Sequence, residues 1–351
     1  MNINTLARYV DQPILLNKLQ KSIPTVLIGV GAVYGAYDTY HSSKHRDNEF
    51  KKKKVLKNSI IIASTIASSL AAANGLKLFG KQIIPRLIHQ PSLSGLLKNQ
   101  KDAISEFLNV SKNLGDDVVA ILNKSKDRYI KPNDIEVLMK GIPEGKEKQK
   151  LFSVILPTPD NLTSKEIFSE VGRLSLLGAI PVVGGVAGGI VADKVTDTVS
   201  RKSTSNKVKE GFYQYFANIF LCNVGACAAL FTAEQLQKRG AIKPLSSIQK
   251  MLVIMTGITA TGIVGGSWIA NKLSQKFIDP VLNGHKPNKN VSGKGVYSER
   301  KPELTDVALH VDDIATAGVL SGFKWIEPAL PLMYFVSGYR AGIGYRNNVK
   351  A

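Results

Sequence analysis

Cysteine is nearly absent from this chain of 351 residues: Cys222 and Cys227 are the only two. Five apart on a helix, they point to different faces, so a bridge within that segment is not expected. Each reads as a small buried hydrophobe. Two thiols also make neither a disulfide framework nor a cysteine-based zinc site. Histidine is scarce, five in all, and acidic residues are outnumbered by basic ones, 27 against 46, for a net charge of +19. Aromatic residues are not interleaved with the basic ones, so the charge does not point to nucleic acid. The run Gly184–Gly189 lacks the Gly-Lys-Ser/Thr ending of a phosphate loop and the spacing of a dinucleotide loop. No Gly-x-Ser-x-Gly elbow occurs. The N-terminus shows no short apolar leader with a small-residue cleavage site, so membrane insertion is expected to begin at the first apolar helix.

What is present is a segregation of apolar blocks from lysine-rich ones, hidden by an average of 44% hydrophobic residues. The blocks carry glycines four apart: Gly31/Gly35, Gly184/Gly188 overlapping Gly185/Gly189, Gly262/Gly266, Gly318/Gly322 and Gly338/Gly342. Four apart on a helix means one face, one turn above. In water such a glycine weakens a helix by roughly 1 kcal/mol relative to alanine. In lipid it lets a second helix come close, and small-xxx-small faces are the usual association surface. The expected fold is therefore all-α: a multi-pass helical membrane bundle of five or six spans, with a helical extramembrane insert.

Residues 1–22 read as a basic amphipathic segment, with Leu6, Val10, Ile14 and Leu16 on one side and a break at Pro13. Residues 23–80 form a first transmembrane hairpin, with spans Pro24–Tyr40 and Ser59–Leu76. Residues 81–171 carry charges at helical spacing and read as one or two amphipathic helices outside the lipid. Asn133/Glu136 and Thr163/Glu166 are candidate capping boxes there. Residues 172–236 form a second hairpin, with spans Leu174–Val191 and Phe212–Ala233. Pro181 should kink or divide the former. Residues 237–351 hold a fifth span, Met251–Ala270, a polar loop over about 280–305, and a broken or re-entrant apolar block, Ile314–Gly344.

Lys and Arg are most frequent in the loops after the first, third and fifth spans, which places those loops in the cytosol and the insert and both termini opposite. That corresponds to an inner or plasma-type membrane. The odd spans end alike, at Asp38, Asp193 and Asn271, as a repeat of hairpins would. Mitochondrial carriers also use two-helix units with glycine pairs. Their odd helices end in Pro-x-acid-x-x-base, and none of these three positions has proline two residues earlier.

Few residues carry chemistry. Asp38, His41 and His45 share one narrow helix face and form a candidate metal site. The spacing resembles one histidine box of membrane desaturases, which need several. His310 with Asp312 and Asp313 is a second polar cluster, read as a cap for the last helix. Lys324, Glu327, Asn74 and Asn223, with Asn218, are the candidate intramembrane polar residues. The run Lys51, Lys52, Lys53, Lys54 is a candidate lipid-headgroup contact and a topology signal. No catalytic set and no cofactor are expected. The sequence points to a membrane protein of structural or interaction type, packed through glycine faces. Its expected partners are anionic lipid headgroups and further copies of itself, with no nucleic acid. A transporter or channel built from hairpins is the alternative, and a membrane-edge metalloenzyme the third reading.

Overall fold

The computed structural model describes residues 3–78, 81–88, 92–111, 113–157, 164–278, 280–281 and 311–345. Among the described residues it is all-α apart from one antiparallel strand pair, β1 (Leu76–Leu78) and β2 (Lys81–Ile84), which the sequence did not announce. The chain divides into two compact units. The first comprises Met1–Ile23, His89–Asn161 and Gly318–Pro328; the second comprises the rest.

In the first unit, α1 (Ile3–Val10) stops at Asp11–Gln12, and Pro13 opens α2 (Pro13–Ser43). Proline suits a first helical turn because its missing N–H would have no partner there. Ile14 and Leu16 are buried, but Leu6 stands 43% exposed, so the expected single apolar side is not kept. Before α8 (Ser164–Val195) begins, the described residues of the insert form four helices where one or two were expected: α4 (Leu93–Val110), α5 (Asp116–Lys124), α6 (Pro132–Gly141) and α7 (Lys146–Ile155). The Ser92 hydroxyl caps α4 by accepting the Gly95 N–H at 3.2 Å. Asn133 does not cap α6, because Pro132 takes its first turn and Lys131 is the residue before it. Ile104, Phe107, Leu122, Ile135, Leu138, Leu151 and Ile155 close one core. Each such side chain contributes about 1.5–3 kcal/mol. Lys148, also buried, donates to the carbonyls of Met139 (2.7 Å) and Ile142 (2.8 Å) and so satisfies the end of α6.

The second unit is a bundle built from the rest of α2 together with α3 (Asn48–Asn74), α8 (Ser164–Val195), α9 (Arg201–Tyr215), α10 (Leu221–Lys238), α11 (Ser247–Ile258), α12 (Gly266–Leu273) and α14 (Leu330–Ile343). A π-turn at Phe216–Phe220 carries α9 into α10 without a break. Between α12 and α14, α13 (Val311–Leu320) precedes a 3₁₀ turn, Lys324–Ala329. Among the described residues three helices are long and apolar enough to cross a membrane: Asn48–Asn74, Glu166–Val195 and Arg201–Lys238. Pro181 does not divide the second of these.

The remaining expected spans differ for physical reasons. The first is long, but tyrosines at 34, 37 and 40 and three glycines dilute its apolar character. The fifth is interrupted by a π-turn, Thr259–Val264, and a turn at Gly265. The last block is cut at Gly322, whose φ of +94° ends α13: its N–H reaches the Val319 carbonyl, and the Phe323 N–H reaches that of Gly318. Gly318 and Gly322 therefore do not form a face on one helix. The 14 residues of α14 rise about 21 Å, short of a bilayer core of about 30 Å.

Candidate functional site

Glycines lie at several of the contacts between bundle helices. Gly184 and Gly188 on α8 lie against Ser68 and Ser64 on α3. Gly185 and Gly189, one step round the same helix, lie against Gly338 and Gly342 on α14. Rising numbers on α8 meet falling numbers on α3 and rising numbers on α14, so α8 is antiparallel to the former and parallel to the latter. Gly31 and Gly35 face Ile62 of α3. Gly225 of α10 meets Gly257 of α11 backbone to backbone, while Gly262 and Gly266 approach Cys222 and Ala217.

These directions bring one end of α2, α3, α8, α9 and α14 together, and there two carboxylates gather the surrounding cations. Asp193, at the end of α8, is almost wholly buried. Its Oδ2 accepts from Lys207 Nζ (2.5 Å) and Ser203 Oγ (2.6 Å) of α9. Its Oδ1 pairs with Lys57 of α3 and accepts from Thr198 Oγ1 (3.4 Å). Asp197, with φ +53°, turns the chain so that Thr198 comes back to it. Gly189 leaves room for the Lys207 stem, whose Cδ and Cε would lie 2.8 Å from an added Cβ. Asp38, on α2, forms a second hub: Lys54 Nζ at 2.8 Å, Asn58 Nδ2 at 2.9 Å and Tyr339 Oη at 3.3 Å. Asn58 also donates to Thr39 Oγ1 (2.9 Å). Every helix at this end is thus tied to a carboxylate.

Below this collar a polar file continues along α9. Gln214 Nε2 donates to Glu210 Oε1 (2.7 Å), and Asn218 Nδ2 to Gln214 Oε1 (2.8 Å). All three are buried. Further on, Asn223 Nδ2 donates to Ser175 Oγ of α8 (2.9 Å).

The sequence candidates fall out as follows. Asp38, His41 and His45 are not drawn to one point: Asp38 turns to Lys54 and Asn58, and His41 packs against the rings of Tyr37 and Tyr40. Among the described residues no group of three His, Cys, Asp or Glu side chains is placed to hold a metal. Of the lysine run, Lys54 points inward to Asp38 and Lys53 pairs with Glu49 at 2.9 Å, which leaves Lys51 and Lys52 as headgroup candidates. Asn74 is exposed at the end of α3, not inside a polar core. Lys324 and Glu327 lie on the 3₁₀ turn of the first unit, outside the bundle, with Lys324 exposed. His310 and Thr163 lie outside the described residues; Asp313 is buried in the first turn of α13.

Sequence reasoning counted Lys57 and Lys207 as loop charges and passed over Glu210 and Gln214. The signal was there: Ser203, Lys207, Glu210, Gln214 and Asn218 recur at helical spacing along one helix. Chemically, both oxygens of Asp193 and Oδ2 of Asp38 are engaged by lysines, hydroxyls and the Asn58 amide, an arrangement that fixes helix ends. Compared with protein-family models, curated proteins and solved structures, this chain has no significant match.

Proposed function

We propose that this chain is an integral membrane protein of structural or interaction type, a close-packed helical scaffold whose charged end contacts anionic lipid. The observation that carries this reading is an outward apolar stripe on a helix of membrane-crossing length: Phe168, Leu176, Val183 and Val191 of α8 stand 42–66% exposed at intervals of seven or eight. Along the next candidate span Phe220, Val224 and Phe231 stand 36–40% exposed. In water, contiguous apolar surface of this kind drives aggregation; in lipid it has its natural solvent. At the collar end, Lys44, Arg46, Lys52, Lys194, Arg201 and Lys202 are exposed. Near an anionic surface each contributes on the order of 1 kcal/mol. The loops after the first and third spans supply them, in keeping with a cytosolic side.

One experiment with two arms tests this. Membranes washed in alkaline carbonate should retain the protein in the pellet; release into the supernatant overturns the integral assignment. The retained protein, melted in nanodiscs, should be more stable with anionic than with zwitterionic lipid. Reversing Lys52, Arg201 and Lys202 to glutamate should erase that difference, and equal melting of the native chain in both lipids removes the headgroup role.

A second reading, a transporter or channel, is favoured by the buried file Glu210–Gln214–Asn218 inside a candidate span, because polar groups at membrane depth mark pathways. Ion leak from reconstituted vesicles decides it. Leak that exceeds protein-free vesicles and falls in Glu210→Gln supports conduction; leak equal to the control leaves the scaffold.

A further inference from the structure

Three distant stretches of the first unit meet at the Asp11–Gln12 break. Gln12 clamps the insert: its Nε2 donates to the Ile130 carbonyl at 2.8 Å and its Oε1 accepts the Ile130 N–H at 2.6 Å. Asp11 reaches the other way. Its Oδ1 accepts the Trp325 N–H at 2.8 Å, across 314 positions of sequence. Asp11 is only 4% exposed, and its Oδ2 is buried with no hydrogen-bond partner among the described residues. An ionised carboxylate with an orphaned oxygen is costly there, whereas the neutral acid loses little and still accepts from Trp325.

We propose that Asp11 is a protonation-sensitive tether that holds the turn at residues 324–328 against the N-terminal segment when neutral and weakens that hold when ionised. The two tethered stretches continue in sequence into α2 and α14, which carry Asp38 and Tyr339. The tether therefore acts on segments that lead directly into bundle helices.

The charged groups around Asp11 set the direction. Burial raises its pKa to about 7, while the Trp325 N–H and the Lys324 charge pull it back. Arg8, one turn earlier on α1, is engaged elsewhere, donating to the Leu156 carbonyl (3.3 Å) with its guanidinium 5.5 Å from the centre of the Phe152 ring. Because the docked acid titrates above its ordinary range, the docked state binds more protons than the released state between about pH 4 and pH 7. The hold is full below that window, falls through it as pH rises, and is level above it.

Amide hydrogen exchange of the full chain in nanodiscs reads this directly. After correction for intrinsic exchange rates, protection of the amides at 323–327 should fall with rising pH by a factor on the order of a thousand across that window. In Asp11→Asn, which keeps the acceptor and cannot ionise, protection should be independent of pH. In Lys324→Met, which removes the charge favouring ionisation, the fall should be deeper. Protection that is flat with pH in the native chain overturns the tether, as does an unchanged fall in Asp11→Asn. If Asp11→Asn does not fold, Lys324→Met decides: a deeper fall upholds the tether and an unaltered one rejects it.

Discussion

Replacing Gly185 by alanine is expected to destabilise the bundle by roughly 3 kcal/mol, the upper end of the cost of overpacking a core. A Cβ at this position would fall on the carbonyl of Gly338, with the carbonyl carbon 2.5 Å away and the Gly338 Cα at 3.1 Å. Both obstructions are backbone, so no rotamer change relieves them. Helices α8 and α14 would have to separate, and the contact one turn on, Gly189 against Gly342, would open with them. The same substitution at Gly172, on the same helix, meets nothing within 4 Å. There alanine should stabilise by up to about 1 kcal/mol through its better helix propensity. Unfolding in one detergent should rank Gly172→Ala above the native chain and Gly185→Ala well below it. Equal stability of Gly185→Ala and the native chain would mean that α8 and α14 do not touch at this point.

This contrast marks where the sequence could be read and where it could not. Helical character was legible because apolar residues recur at helical spacing and β-branched alternation is missing; of the five or six spans expected from long apolar blocks, three helices among the described residues have the length and hydropathy to cross a membrane. The double spacing Gly184/Gly188 and Gly185/Gly189 announced two adjacent small faces, but not that serines would fill one and glycines the other, since a face does not name its partner. Gly318/Gly322 had the same spacing with a different meaning. A glycine four positions on can just as well take the left-handed turn that ends a helix, and spacing alone does not separate the two uses. The charged collar was hidden for a similar reason. Lys57 and Lys207 look like any lysine beside an apolar block; the antiparallel pairing of α3 with α8 brings Lys57 to Asp193, and the return of the chain into α9 through the turn at Asp197 brings Lys207. Asp11 gave no signal at all, because its partner lies 314 residues away.

Removing the Asp193 carboxylate should be the most damaging single change at the collar. Asp193→Ala leaves Lys207, 1% exposed, and Lys57, 22% exposed, facing each other with no counter-charge. Breaking a buried pair by deleting one partner costs about 3–5 kcal/mol, most of it the penalty of a buried charge left alone. Lys57 can turn toward water, so the larger share falls on Lys207, whose stem is held across Gly189. The double variant Asp193→Leu with Lys207→Met removes both buried charges and fills the space with apolar side chains. It should recover most of the loss, because a well-packed hydrophobic replacement of an ion pair is often neutral. Lys57→Met alone should cost far less than Asp193→Ala, since Asp193 keeps Lys207, Ser203 and Thr198. Unfolding measurements on the native chain and these three variants give the order. If Asp193→Ala melts with the native chain, the collar is decorative and the helix ends are held by the glycine contacts alone. If the double variant is as unstable as Asp193→Ala, the cost lies in lost hydrogen bonds to α9 and not in stranded charge.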